Sequence, residues 1–331
     1  MRWVACLALI AAACKRDAAG DDRARVPSSV PRIPAIDDRC DPRHDRLCIG
    51  DDVWACEASG TLGRRIQACH EGCEDGRCNA TCADAGAGLI YVVDASDELR
   101  SFDPGKLPGD PFELIGPLRC RPQDSPFSMA IDRHGVGWVV YGGGELFKIS
   151  ISDASCRPTA FVPSVHFGMG FVTDGPGART EKLFLAADDG SRALSYVDTA
   201  HDVVPHRVGV LTAGDAHNPE LTGTSKGKLF GFFPVTDRPS FVQEIDRATG
   251  GPKGPRWPLG KAPLGNVNSY AFAQWGGVFY IFVTTIDDDG RVNSTVRAID
   301  RATGTYRTVM ENLPFRITGA GVSTCAPERD Q

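Results

Sequence analysis

From residue 89 onward the chain is a succession of short apolar runs separated by turns, with no amphipathic helical segment of useful length. Residues 89–93, 137–141, 182–186, 228–232 and 278–282 are mostly apolar on consecutive positions, the pattern of strands covered on both faces. Four of these runs are preceded by a stretch rich in small and apolar residues, at 128–131, 170–173, 220–223 and 270–273. A fifth such stretch, 319–323, comes after all the others, and 84–87 supplies none before Leu89. Each apolar run is followed by a turn and a further strand ending in a hydrophobic-Asp signature. The clearest copies are Ile245-Asp246-Arg247-Ala248-Thr249-Gly250 and Ile299-Asp300-Arg301-Ala302-Thr303-Gly304. Looser echoes place Asp103, Asp153 and Asp198 in the same role, so the aspartates recur at intervals of 50, 45, 48 and 54 residues.

A repeat of that size built from short strands is the signature of a propeller blade. The pattern predicts an all-β fold, a five-bladed β-propeller over residues 86–327, with a small disulfide-rich module in front. The displaced stretch 319–323 is the missing inner strand of the first blade. Pairing it with 89–93 closes the ring with strands from both ends of the chain and removes exposed sheet edges. The signature aspartates read as turn formers, each carboxylate accepting nearby backbone N–H groups while glycine supplies positive φ.

The front of the chain changes the picture of where the protein works. Residues 1–13 hold Arg2 and an eleven-residue apolar stretch from Trp3 to Ala13, too short for a permanent span and typical of an export signal. Ala11-Ala12-Ala13-Cys14 resembles the bacterial lipobox, although Leu is usual at position 11. The resemblance implies a lipid on Cys14; the alternative is an ordinary signal peptide cut near Ala13. Lys15, rather than Asp, implies outer-membrane delivery. Residues 14–39 form a flexible tether: positions 15–39 carry six basic and five acidic residues, three prolines and no aromatic residue, too little apolar surface to offset ordering entropy. No later stretch is long and apolar enough to span a membrane. The expected location is the outer membrane or cell surface, reached through the lipid anchor alone.

Setting aside Cys6 and Cys14 leaves ten of the twelve cysteines, an even number that favours disulfides in an exported protein. Cys40, Cys48, Cys56, Cys69, Cys73 and Cys78 crowd into a module, residues 40–82, too small for a self-sufficient core. Short strands fit 46–49, 53–56 and 65–69. The run Cys69-His70-Glu71-Gly72-Cys73-Glu74-Asp75-Gly76-Arg77-Cys78 resembles the Cys-rich segments of myxobacterial exported proteins, over residues 40–78 only, and implies no activity. Cys69, His70, Cys73 and Cys78 are also conceivable zinc ligands, but the spacing is not that of paired CxxC motifs and the compartment is oxidising. Cys120 and Cys156 fall on outer strands of adjacent blades and can pair. Cys82 and Cys325 flank the ring, and a bond between them would close a loop of more than 240 residues.

Candidate chemistry is confined to one end of the ring. By analogy with the fold, propellers bind at the face carrying the loops into the inner strands and the loops between second and third strands. There the sequence gathers His166, His217, Asn218, Asn268, Arg316, Asp188 and Asp237, with Asp94, Asp124, Asp189, Asp215, Asn266 and Asp287 to Asp289 nearby. No Gly-x-Ser-x-Gly elbow or phosphate-binding loop is present. Asp287-Asp288-Asp289-Gly290 could hold calcium and equally suits a hairpin turn; no other cofactor or metal is expected. A formal charge of −6 without a basic stripe disfavours nucleic acid. The expectation is a non-catalytic, monomeric envelope lipoprotein that binds or scaffolds protein or glycan ligands, with a propeller hydrolase, glycosidase-like or calcium-dependent, as the alternative.

Overall fold

The computed structural model describes residues 39–328 apart from 51, 69–72, 75, 79–87, 121, 123, 162–164, 200–202 and 213–218. The signal segment, most of the tether, Cys14, Cys69, Cys82, His217 and Asn218 therefore lie outside the described residues.

The described residues of the front module contain a three-stranded antiparallel sheet, β1 (Arg46–Ile49), β2 (Asp52–Cys56) and β3 (Leu62–Ala68), and a two-stranded one, β4 (Cys73–Glu74) and β5 (Arg77–Cys78). Among the described residues of β1, β2 and β3 only Val53 is a buried hydrophobic residue. Covalent links stand in for a core: Cys40–Cys56 and Cys48–Cys73 are bonded at Cα separations of 5.9 and 5.5 Å. The second bond takes Cys73 out of any zinc set.

The remaining strands form five four-stranded antiparallel sheets. Sheet I holds β6 (Ile90–Asp94), β7 (Glu98–Phe102) and β8 (Phe112–Pro117), completed by β25 (Ile317–Val322). Sheet II is β9 (Pro126–Ile131), β10 (Val136–Tyr141), β11 (Leu146–Ser150) and β12 (Cys156–Pro158). Sheet III is β13 (Phe167–Thr173), β14 (Glu181–Ala187), β15 (Ala193–Val197) and β16 (His206–Val210). Sheet IV is β17 (Glu220–Gly223), β18 (Leu229–Phe233), β19 (Phe241–Ile245) and β20 (Pro252–Pro258). Sheet V is β21 (Val267–Trp275), β22 (Val278–Ile286), β23 (Val292–Asp300) and β24 (Tyr306–Met310).

Sheet I joins the two ends of this region, with Gly319, Ala320, Gly321 and Val322 opposite Val93, Val92, Tyr91 and Ile90. The inner strands pack against one another in a cycle, β25 on β9, β9 on β13, β13 on β17, β17 on β21 and β21 on β25. That close approach needs glycine. A Cβ on Gly168 would stand 2.1 Å from the Pro219 carbonyl oxygen, and one on Gly223 would stand 2.1 Å from that of Phe171. Aromatic and aliphatic layers fill the wedges between sheets, as where Phe230 and Phe232 of sheet IV meet Phe272 and Phe279 of sheet V. Cys120 and Cys156 are bonded at a Cα separation of 5.2 Å. Cys325 is also disulfide-bonded.

The signature aspartates sit in the turns between third and fourth strands. Asp246 Oδ1 accepts the N–H groups of Ala248 (2.8 Å) and Thr249 (3.1 Å), and Asp300 Oδ1 those of Ala302 (3.0 Å) and Thr303 (2.9 Å). Their carboxylates build turns.

Candidate active site at the mouth of the ring

In an antiparallel meander, the loops into first strands and those between second and third strands share one end of the ring. That end is the mouth. His166 enters it just before β13 and Asp188 just after β14. The ring nitrogen Nε2 lies 2.9 Å from Asp188 Oδ2, and Nδ1 lies 3.0 Å from the Gly142 carbonyl oxygen. Both ring nitrogens thus face oxygen atoms, which fixes the plane of the imidazole. Phe127 covers the ring at a centroid distance of 4.1 Å.

Glu220 opens β17 at the same end and is 1% exposed. It is the sole carboxylate in the five inner strands. Ser128 of sheet II donates its hydroxyl to Glu220 Oε2 at 2.7 Å and accepts the Met169 N–H at 3.3 Å. The bond therefore runs between sheets II and IV, past the strand of sheet III. Burial holds the Glu220 carboxyl well above the ordinary range, and the Ser128 bond opposes that only in part. Tyr270, on β21, has its phenol raised by burial and then by the charges of Glu220 and Asp188. Tyr270 consequently marks the point where sheets III, IV and V converge.

Asn268 lies two residues before Tyr270 on β21, and its Oδ1 accepts a 2.6 Å hydrogen bond from Arg316 Nη1. This second pair joins the first and fifth sheets at the rim. The structure thus brings His166 to Asp188 and Asn268 to Arg316. It leaves Asp237 apart: that side chain is exposed, and its ion-pair contact among the described residues is the adjacent Arg238 at 3.9 Å. Asp94 is committed to the loop it closes, accepting N–H groups of Ser96 and Glu98 and pairing with Arg100. Asp287 to Asp289 form a hairpin turn. Asp287 Oδ1 accepts the Asp289 and Arg291 N–H groups, Gly290 has φ 77°, and Arg291 pairs with Asp289 at 2.9 Å. The Asp287 and Asp289 carboxylates are occupied by the turn and by Arg291. No group of three or more His, Cys, Asp or Glu side chains suited to a metal occurs among the described residues.

Sequence reasoning passed over Glu220, Ser128 and Tyr270, which were counted only as inner-strand residues. The signal for Glu220 was present: an acid in a position class otherwise filled by small and apolar residues.

No protein-family model and no curated protein matches the chain. Solved structures of similar shape include a catalytically inactive virginiamycin B lyase from Staphylococcus aureus with quinupristin (10% identity, TM-score 0.35, 78% of this chain and 85% of that one). A gluconolactonase from Xanthomonas campestris is similar at 15% identity and TM-score 0.38, over 72% of this chain and 79% of that one. A chain of the mitotic checkpoint complex is similar at 12% identity and TM-score 0.39, over 71% and 78%. None of these likenesses assigns a reaction or substrate to this chain. The expectation of a non-catalytic binding protein is nevertheless corrected. The mouth gathers a His–Asp pair, a buried acid and a tyrosine. The alternative expectation, a hydrolase, fits these findings better. The chain has an all-β, propeller-like fold with disulfides.

Proposed function

We propose that the chain is an exported propeller hydrolase that cleaves glycan by acid–base chemistry at the mouth of the ring. The observation that carries this reading is a pair of carboxyl groups at the mouth in unlike settings, Glu220 buried in the inner ring and Asp188 hydrogen-bonded to His166. Burial holds the Glu220 carboxyl well above the ordinary range, and Asp188 pairs with His166. Glycoside cleavage needs such a division, one carboxylic acid to protonate the leaving oxygen and one carboxylate to act as base or nucleophile. Glu220 is the proposed acid, Asp188 the proposed carboxylate, and His166 orients Asp188.

The cycle of five inner strands supports a five-bladed ring, with the three-stranded sheet of the front module pairing only within itself. We further propose a lipid on Cys14, a tether over residues 14–39 and an envelope location, which would set this mouth before surface glycans.

The test is hydrolysis of a panel of chromogenic glycosides and envelope glycan fragments. Cleavage of a panel member that is lost in both Glu220→Gln and Asp188→Asn, with the melting temperature shifted by only a few degrees, supports the reading. A wild-type protein that cleaves no member, or variants that keep full activity, overturns it.

A further inference from the structure

Asn268 and Arg316 are carried to the mouth by two adjacent inner strands, and both strands are irregular at this point. In β21, Val267 stands opposite Thr285 and Ser269 opposite Thr284, so Asn268 is an extra residue in the ladder. In β25, Ile317 stands opposite Asp94 and Gly319 opposite Val93, which makes Thr318 the extra residue. Bulges of this kind re-aim side chains and gather beside sites. The two strands pack on each other and are laced here by the Ser269 hydroxyl, which donates to the Ile317 carbonyl at 3.0 Å.

The backbone carrying Arg316 is anchored on both sides. Ile317 is buried. Phe315 packs on Phe112 at a centroid distance of 5.1 Å, and the Arg100 guanidinium lies 4.2 Å from the Phe315 ring centre. The Ala95 N–H donates to the Arg316 carbonyl at 2.9 Å. The Arg316 side chain is exposed, yet Asn268 Oδ1 accepts its Nη1–H at 2.6 Å. A long surface side chain is therefore given a fixed place, which lowers the ordering cost of a contact made to it.

The partner that fixes it carries no charge. Arg100, Arg238 and Arg291, also at the mouth, each meet an acid: Arg100 pairs with Asp94 and Glu98, Arg238 lies 3.9 Å from Asp237, and Arg291 lies 2.9 Å from Asp289. Arg247, at the base of the ring, the end opposite the mouth, divides its two Nη groups between the Thr173 and Asp174 carbonyls at 2.6 and 3.1 Å. Arg316 has neither arrangement. Among the described residues its side chain has no carboxylate partner, and one neutral amide takes one of its N–H groups. Asn268 thus orients the guanidinium without neutralising it. The rest of the planar fork and the whole charge are left for an anion.

We propose that Arg316, presented by Asn268, is a subsite for the carboxylate of a uronic acid unit, so that the glycan taken at the mouth is an acidic one. The inference rests on the reading of the mouth as a glycan-cleaving site. The placement suits it: Asn268 lies two residues before Tyr270 on β21, the inner strand next to β17, which Glu220 opens. A guanidinium fork matches the two coplanar oxygens of a carboxylate. A phosphate monoester carries more than one charge at neutral pH and calls for a second cation, whereas Arg100, Arg238 and Arg291 already face acids.

The test is calorimetric binding to the full chain of short oligosaccharides holding one glucuronate or galacturonate unit, each compared with its methyl ester. At least one acid should bind about tenfold more tightly than its ester, the scale of one charge-assisted pair. Arg316→Gln should abolish that preference and leave binding of the ester as it was, and Arg316→Lys should restore part of it. Asn268→Ala should weaken the preference without removing it. Equal binding of acid and ester, binding of no probe, or a preference that survives in Arg316→Gln overturns the subsite. Tighter binding of the matching 6-sulfate or 6-phosphate sugar overturns the assignment to a carboxylate. Binding is read apart from cleavage, so a protein that holds the acid by Arg316 and cuts nothing refutes the hydrolase reading and leaves the subsite standing.

Discussion

Glu220 and Glu181 lie at opposite ends of one ring, and burial raises both above the ordinary carboxyl range. Their surroundings differ. Glu220 takes one hydrogen bond from a neutral hydroxyl and shares its field with Tyr270. Glu181 faces a second carboxyl, Asp132, and takes bonds from Thr324 and the Arg133 backbone. Burial alone makes an acid hold its proton. The neighbours decide what the proton is for. At the mouth it faces the groups that could pass it to a substrate. At the base it keeps two carboxyls and a chain segment together.

The largest expected effect comes from removing what both ends depend on. Deleting residues 317–331 takes away β25, which pairs with β6 and packs between β9 and β21. The edge of β6 and two inner-strand faces would lose their cover. We expect loss of a cooperative unfolding transition in urea, or a melting temperature lower by at least about 10 °C given the several kcal/mol at stake. A truncated chain that melts like the full one would show that closure does not hold the ring.

The next effect separates the two acids by pH. A raised carboxyl binds its proton more tightly in the folded chain. Its contribution to stability is therefore greatest below the unfolded carboxyl range and declines as pH climbs to the folded value. Wild-type stability in urea should fall between pH 5 and pH 8. Glu181→Gln should remove part of the slope, ending near pH 8. Glu220→Gln should remove another part of the same sign. The partial exposure of Glu181 keeps its share to about 1–3 kcal/mol. Identical slopes in wild type and the double variant would mean that neither carboxyl is held neutral.

How much of this was legible in the sequence follows from where the determinants lie. The strands were readable because consecutive apolar positions and turn residues act locally. The displaced stretch 319–323 was readable because a repeat with one member out of place has few ways to close. The mouth was readable as a place, and His166 with Asp188 as members of it. Their contact was not, since it depends on how two loops of one sheet fold toward each other. Ser128 and Glu220 are 92 positions apart and meet between non-adjacent sheets. No local pattern encodes that meeting. Glu181 stayed hidden for the same reason: its carboxyl is raised by burial and by Asp132, which lies beyond its own sheet, against a bond from Thr324.

The smallest effect tests the same comparison from the exposed side. Asp246 is a surface acid at the base end, and its carboxyl is lowered, chiefly by the Ala248 backbone bond. It differs from Glu181, a few strands away, in lying open to water and accepting N–H groups of its own turn. Asp246→Ala should cost about 1 kcal/mol, the ordinary value of such a turn bond, whereas Asp246→Asn should recover most of it, since an amide oxygen accepts the same N–H groups. The sign with pH is also reversed: a lowered carboxyl stabilises the fold above the ordinary range, and this contribution is lost on acidification. The difference between wild type and Asp246→Ala, read by urea unfolding, should therefore shrink from pH 6 to pH 3. A loss of several kcal/mol, or a difference that grows on acidification, would place Asp246 with the buried acids rather than with the turn formers.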